Sequence, residues 1–495
     1  MKISRKKLRR TSARQLCLLG ALVIASSGAA AIAACGNRPP PREQPRQVIL
    51  KSEDVDRKVG GEAALAIRGQ LGLIEDPALA AYVAEVGGRL ARHAPRRRFS
   101  YKFQIVDQEA PNAFALPGGY IFVSRGLLTL ANSEDELANV LGHEIVHVAA
   151  RHAAARQEIG QILPLRFNWF QGSYLASYGR DQEREADRLG QGLSAVAGYD
   201  PAGLVSFLRE LEHSERLKLG ASRLPSFWAT HPTTSSRVAE ASIRAQMTSW
   251  ERAEPIAGSR AGFLRRTEGL AVGARASEGV FIDDRFLHAD LDLMVRFPSG
   301  WTTRNTHQAV GAVSPKRDAQ VFLEHQGRGS DPQTAAAEYV QELTDAGFKV
   351  ENTRSLVIGP YPAFRVLGKF PRFQGQVRVV LTWLSRDGSI YRFTGAAPIT
   401  SFNTYKGTLL NVPRSFRPLR SGEREKIREM RLRIAVARDG ESLLDLSKRT
   451  ANRWDLQYTA VVNDLFTDHK LDAGQLVKIA VAQDYRPDAD GSGAE

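Results

Sequence analysis

The stretch LGHEIVHVAARH, Leu141 to His152, puts three histidines and a glutamate into twelve residues. On an α-helix, side chains four residues apart lie one above the other on the same face. His143 and His147 have that spacing, so both imidazoles can reach one metal ion. Glu144 sits beside the first histidine, off the axis between them, where a carboxylate can take a proton from a water at the metal. The alternative is the polar face of an ordinary helix. His152 falls five positions after His147, off the ligand face, and is expected to be solvated, like His93 and His213.

A catalytic zinc takes three protein ligands and keeps a position for water, so a third ligand is expected downstream. YGRDQEREADRLGQG, from Tyr178, supplies Glu183 and Asp187, again four apart on a helix face. Glu183 can complete the coordination. Asp187 can accept a hydrogen bond from the second ring nitrogen of a ligand histidine, with His143 the favoured one. Glu185, a rival ligand, is expected to face elsewhere. Arg180 is a candidate to steady a carboxylate or a developing oxyanion, with a plain salt bridge as the alternative.

The surrounding pattern is helix-rich. In LAAYVAEVGGRLARHA the apolar Leu79, Tyr82, Val83, Val86 and Leu90 share one helical face. YKFQIVD and GYIFVSRG read as short strands. Ser133 and Glu136 are placed as a capping box for the histidine helix, and Asp200 with Pro201 as the start of another.

Four motifs in order, NAFALPGGYIFVSRGLL, LGHEIVHVAARH, RDQEREADRLG and ATHP, resemble the HtpX/BepA class of bacterial zinc metallopeptidases, relatives of the CAAX-prenyl endopeptidases, over about residues 51–245. The resemblance implies a gluzincin-type peptidase with one zinc ion on His143, His147 and Glu183, and Glu144 as catalytic base. It also implies that His231, in the THP sequence, can cap the zinc from a loop and hold the enzyme shut. From the residues alone, His231 before Pro232 is a loop histidine. The strand Tyr120, Ile121, Phe122, Val123 is then expected at a sheet edge beside the metal helix, where an extended substrate could add by main-chain hydrogen bonds. Pro117, Gly118 and Gly119 are expected to form a tight loop letting substrate backbone come close.

The N-terminus reads as an export signal over residues 1–34. Lys2, Arg5, Lys6, Lys7, Arg9, Arg10 and Arg14 precede a 19-residue apolar run, Leu16 to Ala34, that ends in small residues. IAAC resembles the lipobox of bacterial lipoproteins, which implies acylation of Cys35, followed by a Pro-rich linker over 35–50. Cys17 is the other of the two cysteines, so the mature chain would hold a single one. The basic leader carries seven of the formal +14 charges. The remaining +7 over 461 residues reads as a solvated basic surface, with no nucleic-acid partner expected.

The fold class expected is α+β in three parts: a zinc peptidase domain over 51–255, an α+β domain with a mainly antiparallel sheet over 260–420, and a small βααβ module over 430–482. Residues 483–495 are expected to be a disordered tail. In the middle domain DPQTAAAEYVQELTDAGF is the clear helix, and His288, His307 and His325 form no constellation. SGEREKIREMR reads as a charged helix before the last module. That module resembles LysM in Gly440-Glu441-Ser442, Asn463 and the run Leu471 to Ile479, which implies peptidoglycan as a possible partner. The combined expectation is a lipid-anchored enzyme on the periplasmic side of the envelope, at the outer membrane, with unfolded or misassembled envelope proteins as substrates. The other class is a chaperone or cell-wall scaffold with a silenced zinc site.

Overall fold

The computed structural model describes residues 52–95, 100–152, 178–217, 231, 235–307, 309–372 and 375–486. The expected leader, Cys35, the linker and most of the expected tail lie outside these. Among the described residues no helix is long and apolar enough to cross a membrane.

The first part is built on helices α1 (Glu53–Leu71), α2 (Pro77–Ala91), α3 (Arg125–Leu130), α4 (Glu134–Ala149), α5 (Arg180–Val196), α6 (Gly203–Leu217), α7 (Ser235–Met247) and α8 (Arg260–Thr267). The apolar stripe of α2 is buried in full: Leu79, Tyr82, Val83, Val86 and Leu90 join Leu137, Leu141 and Ile145 of α4 and Phe207, Leu208 and Leu211 of α6 in one core. Phe263, Leu264 and Leu270 belong to it too, so the first part continues past the expected boundary at 255. Ser133 caps α4 by accepting from the Glu136 N–H at 3.2 Å. The Glu136 carboxylate reaches one residue further back than a capping box requires, to the Asn132 N–H at 2.6 Å. Asp200 folds a turn onto the Ala202 N–H at 2.8 Å, and α6 starts after it.

Three short strands, β1 (Lys102–Val106), β2 (Ala113–Leu116) and β3 (Tyr120–Ser124), form a sheet in the order β1-β3-β2. The expected edge strand is therefore central: Ile121 pairs with Phe103 in parallel on one side and with Ala115 in antiparallel on the other. With both ladders occupied, Tyr120 to Val123 have no main-chain groups left for a substrate. Pro117, Gly118 and Gly119 turn the β2–β3 hairpin and are buried. Gly118 and Gly119 have φ of +79° and +100°, the left-handed region that favours glycine. A Cβ on Gly118 would lie 2.7 Å from the Arg57 Cα. Gly118 is closed over by α1 and Gly119 by the backbone at Ser100, whose carbonyl oxygen a Cβ would meet at 2.7 Å, and this packing accounts for the two glycines.

The middle part holds a small antiparallel sheet, β4 (Val280–Ile282), β5 (Arg285–His288) and β6 (Leu293–Arg296). It also holds an antiparallel sheet of seven strands: β7 (Thr302–Asn305), β8 (Val310–Val313), β9 (Gln320–Arg328), β10 (Lys349–Ile358), β11 (Tyr361–Arg372), β12 (Gly375–Arg386) and β13 (Ser389–Pro398), in the order β10-β11-β12-β13-β9-β8-β7. Helix α9 (Pro332–Asp345) packs Tyr339 and Leu343 with Trp383 and Val379 on one face. Helix α10 (Phe402–Arg414), not foreseen, packs Leu409 and Val412 with Val380 and Phe393 on the other.

The charged segment before the last module is helical for one turn only, α11 (Ser421–Arg424). From Arg428 it runs as β14 (Arg428–Val436), because Met430, Leu432 and Ile434 alternate with charged residues at the strand period. The module continues through β15 (Glu441–Ser442), α12 (Leu443–Arg449), α13 (Leu456–Val462), β16 (Lys470–Leu471) and β17 (Leu476–Asp484), with β14 and β17 antiparallel. Asn463 ties it together, donating to the Thr459 and Lys478 carbonyls at 2.8 and 2.9 Å and accepting from the Lys478 N–H at 2.6 Å. Gly269, Leu270 and Val272 exchange main-chain bonds with β14, and Val462 enters the first core. The module is thus seated on the first part.

Candidate metal centre

Helices α4 and α5 cross with almost no side chain between them. A Cβ on Gly190 would lie 2.8 Å from the His143 N, and one on Gly142 would lie 3.0 Å from the Gly190 O. This approach brings the carboxylates on the first turns of α5 against the histidines on the last turns of α4. Larger residues at Gly142 or Gly190 would push the two halves of the site apart.

His143, His147, Glu183 and His231 each offer one ligand atom within 4.8 Å of the others, and they form the candidate metal group among the described residues. His143 Nε2 lies 2.9 Å from His147 Nε2 and 3.2 Å from His231 Nδ1. Glu183 Oε1 lies 2.9 Å from His231 Nδ1 and 3.6 Å from His147 Nε2. Ligands at about 2.0–2.1 Å from a tetrahedral zinc are about 3.4 Å apart. The four separations above scatter about that value, and nitrogen and carboxylate donors suit zinc, so the residues fit the ion.

Each ligand is oriented from behind. Asp187 Oδ1 lies 3.0 Å from His143 Nδ1, which fixes the tautomer whose Nε2 lone pair faces the centre. Burial lowers the His143 pKa, against the pull of Asp187 and Glu183, and so favours the neutral imidazole that ligates. Burial raises the Glu183 pKa, opposed by His143 and Arg237. For Asp187 burial also pushes upward, but hydrogen bonds from Arg237 and His143 outweigh it and hold the carboxyl well below its usual range. Glu144 is fully buried, 3.3 Å from His231 Nε2, beside the ligand atoms and not one of them.

Two residues to which the sequence reading gave no role, Arg237 and Tyr178, complete the site. Arg237, six residues after His231, donates through Nε and Nη2 to Asp187 at 2.7 and 2.8 Å. Its Nη1 lies 2.8 Å from Glu183 and donates to the His231 carbonyl at 3.3 Å. It thereby ties α7 and the His231 loop to α5. Arg180, the arginine singled out from sequence, is exposed at the start of α5. Tyr178 stacks on His147 with ring centroids 3.6 Å apart.

His152 is not one of the four ligands, but neither is it solvated. It is 5 % exposed, with Nδ1 2.9 Å from His147 Nδ1 and Nε2 3.4 Å from Glu185 Oε2. With His147 Nε2 turned to the metal, its Nδ1–H donates to His152, and His152 Nε2–H faces Glu185. The helix ends at Ala149 and Arg151 takes φ +57°, which swings His152 out of the helical register and behind the ligand. His152→Leu is expected to weaken zinc binding about 10–100-fold, read by competition with a chromophoric chelator. His152→Asn should recover part of this, and an unchanged affinity in the leucine variant would remove the orienting role. His93 and His213 are exposed as expected.

Two histidines on one helix, Glu183 on the helix that crosses it, a buried carboxylate beside them and histidines oriented from behind define a metallopeptidase-type centre. Residues 77–245 match the model of Peptidase family M48. Beta-barrel assembly-enhancing protease of Yersinia pestis is 32 % identical over 219 residues, 39 % of this chain and 44 % of that protein. The same-named protein of Escherichia coli K12 is 31 % identical over 215 residues, 38 % of this chain and 44 % of its own. Mitochondrial metalloendopeptidase OMA1 of Schizosaccharomyces pombe is 30 % identical over 175 residues, 32 % of this chain and 50 % of that one. The chain therefore spans about half or less of the length of these relatives.

Proposed function

We propose that the chain is a zinc-dependent endopeptidase of the bacterial cell envelope that hydrolyses misfolded or stalled envelope proteins and is held shut by His231. The observation that carries the reading is the convergence of His143, His147, Glu183 and His231 on one point, with Glu144 beside it. When bound, zinc supplies Lewis-acid activation of the attacking water and the scissile carbonyl. Glu144 takes the water's proton and hands it to the leaving amine. Asp187, Arg237 and His152 hold the ligands in place. His143, His147 and Glu183 would hold zinc in the working enzyme and leave a fourth position open.

The shut state is supported by what His231 contacts. Its Nδ1 takes up the fourth ligand position, and its Nε2 is against Glu144, so water and base are both engaged by one side chain. An extended substrate is best served by β2, which pairs only with β3 among the described residues. Its envelope substrates follow the naming of the bacterial relatives, and lipid attachment at Cys35 rests on the sequence alone. A scaffold with a silenced site is the second reading, favoured by the four-ligand closure.

The test is zinc content and casein cleavage by the chain from residue 36 onward. One zinc per chain is expected, with cleavage raised at least about tenfold in His231→Ala, since that change frees the fourth position and the base. Zinc without cleavage in either protein would favour the scaffold, and absence of zinc would end the metal reading.

A further inference from the structure

The middle part holds a groove of about 800 Å³ lined by Arg285, Arg296, Arg414, Arg417 and Arg420 against one acidic side chain, Glu423. Glu423 is already engaged. Its carboxylate accepts from both Nη groups of Arg417 at 2.8 and 2.7 Å, and these bonds hold its pKa down at about 2. Arg285 and Arg296 have carboxylates at 3.7 and 3.8 Å. Arg414 donates to the Asn411 Oδ1 at 3.2 Å. Among the described residues no salt bridge within 4.0 Å is made by Arg414 or Arg420.

The positive surplus continues from Arg414 onto the sheet. Arg354 of β10 and Arg365 of β11 are direct cross-strand partners, on the face that α10 covers. Arg365 donates through Nε to Thr382 Oγ1 at 3.1 Å, while its Nη2 is shielded from solvent and has no acceptor among the described residues. Burial first, then the charges of Arg414 and Arg354, push the Arg365 pKa down. Like charges directly opposite on a ladder are destabilising, and among the described residues Arg354, Arg365 and Arg414 make no salt bridge within 4.0 Å to offset them. The surplus is therefore left over after the fold's own ion pairs are made.

We infer that this groove binds the phosphate group of a phosphate ester, with Arg414 and Arg420 as its primary contacts. A carboxylate is satisfied by one guanidinium fork, as Glu423 is by Arg417. A phosphate offers more acceptor oxygens in diverging directions and matches several forks at once. Met294, Tyr361 and Phe416 on the groove wall give the non-ionic remainder of the ester an apolar surface. The site is separate from the metal centre and does not depend on it.

The test uses the full chain with vesicles of phosphatidylglycerol in phosphatidylcholine, and separately with inorganic phosphate by titration calorimetry. Arg414→Gln/Arg420→Gln is compared with the charge-matched Arg209→Gln/Arg265→Gln, whose arginines are exposed elsewhere. Removing two charge-assisted contacts should weaken binding at least about tenfold, and the control pair should leave it within about twofold. Vesicle binding that survives inorganic phosphate at matched ionic strength assigns the site to a lipid headgroup. Calorimetric binding of phosphate without vesicle binding assigns it to a soluble ester. Equal losses in both pairs, or no binding to either probe, overturns the inference.

Discussion

Glu144→Gln is expected to keep one zinc per chain and lose about 10²–10⁴-fold or more in peptide hydrolysis, the range of a general base. Glu144 is fully buried and contributes none of the four converging ligand atoms. Glutamine keeps the shape and the contact with His231 but cannot accept a proton. The comparison is best made also in the His231→Ala background, where the proposed gate no longer masks the chemistry. Loss of zinc together with activity would mean that Glu144 has a structural part, and retained activity would remove it from the mechanism.

Lys478→Ala is expected to lower stability by about 3–5 kcal/mol, the range for removing one partner of a buried charge group. Lys478 is fully buried in β17, and its Nζ donates to the Thr129, Leu130 and Ala131 carbonyls at 3.0, 2.7 and 3.0 Å. All three ammonium protons thus close the carbonyl end of α3, immediately before the metal helix. Burial lowers the Lys478 pKa and raises those of Glu136 and Glu210, for which Lys478 is the compensating charge. Without it the two carboxyls are protonated more readily in the folded chain. A raised folded-state pKa gives stability that is present below the unfolded value and lost as pH rises. The deficit should therefore be larger at pH 8 than at pH 5, measured by chemical unfolding, and adding Glu210→Gln should recover part of it. A deficit that is the same at both pH values would point to packing instead of charge.

The metal centre was legible because its spacing is local. His143 and His147, then Glu183 and Asp187, are each one turn apart on a helix, and helix geometry alone puts each pair on one face. The stripe of α2 was readable for the same reason. Where the reading failed, the deciding partner lay outside the segment that was read. GYIFVSRG has the composition of a strand, but whether it is edge or centre depends on β1 and β2 both finding it. Gly118 and Gly119 looked like room for substrate until α1 and the backbone at Ser100 occupied that room. SGEREKIREMR has helix-forming residues, yet its second half pairs with β17 almost fifty residues later.

His152 and Arg237 mark the same limit within the site. Five positions from His147 is the wrong offset on a continuous helix, and only the helix end at Ala149 turns His152 back onto its neighbour. Arg237 is an ordinary helix residue until α7 packs beside α5. The sequence by itself paired His143 with His147 and Glu183 with Asp187, because one-turn pairings are a property of the backbone, but not His231 with them. Tertiary structure decided what surrounds that set, which strand edge is open and where the last module sits. Those depend on contacts between elements far apart in the chain, and a period of 2 or 3.6 residues carries no information about them.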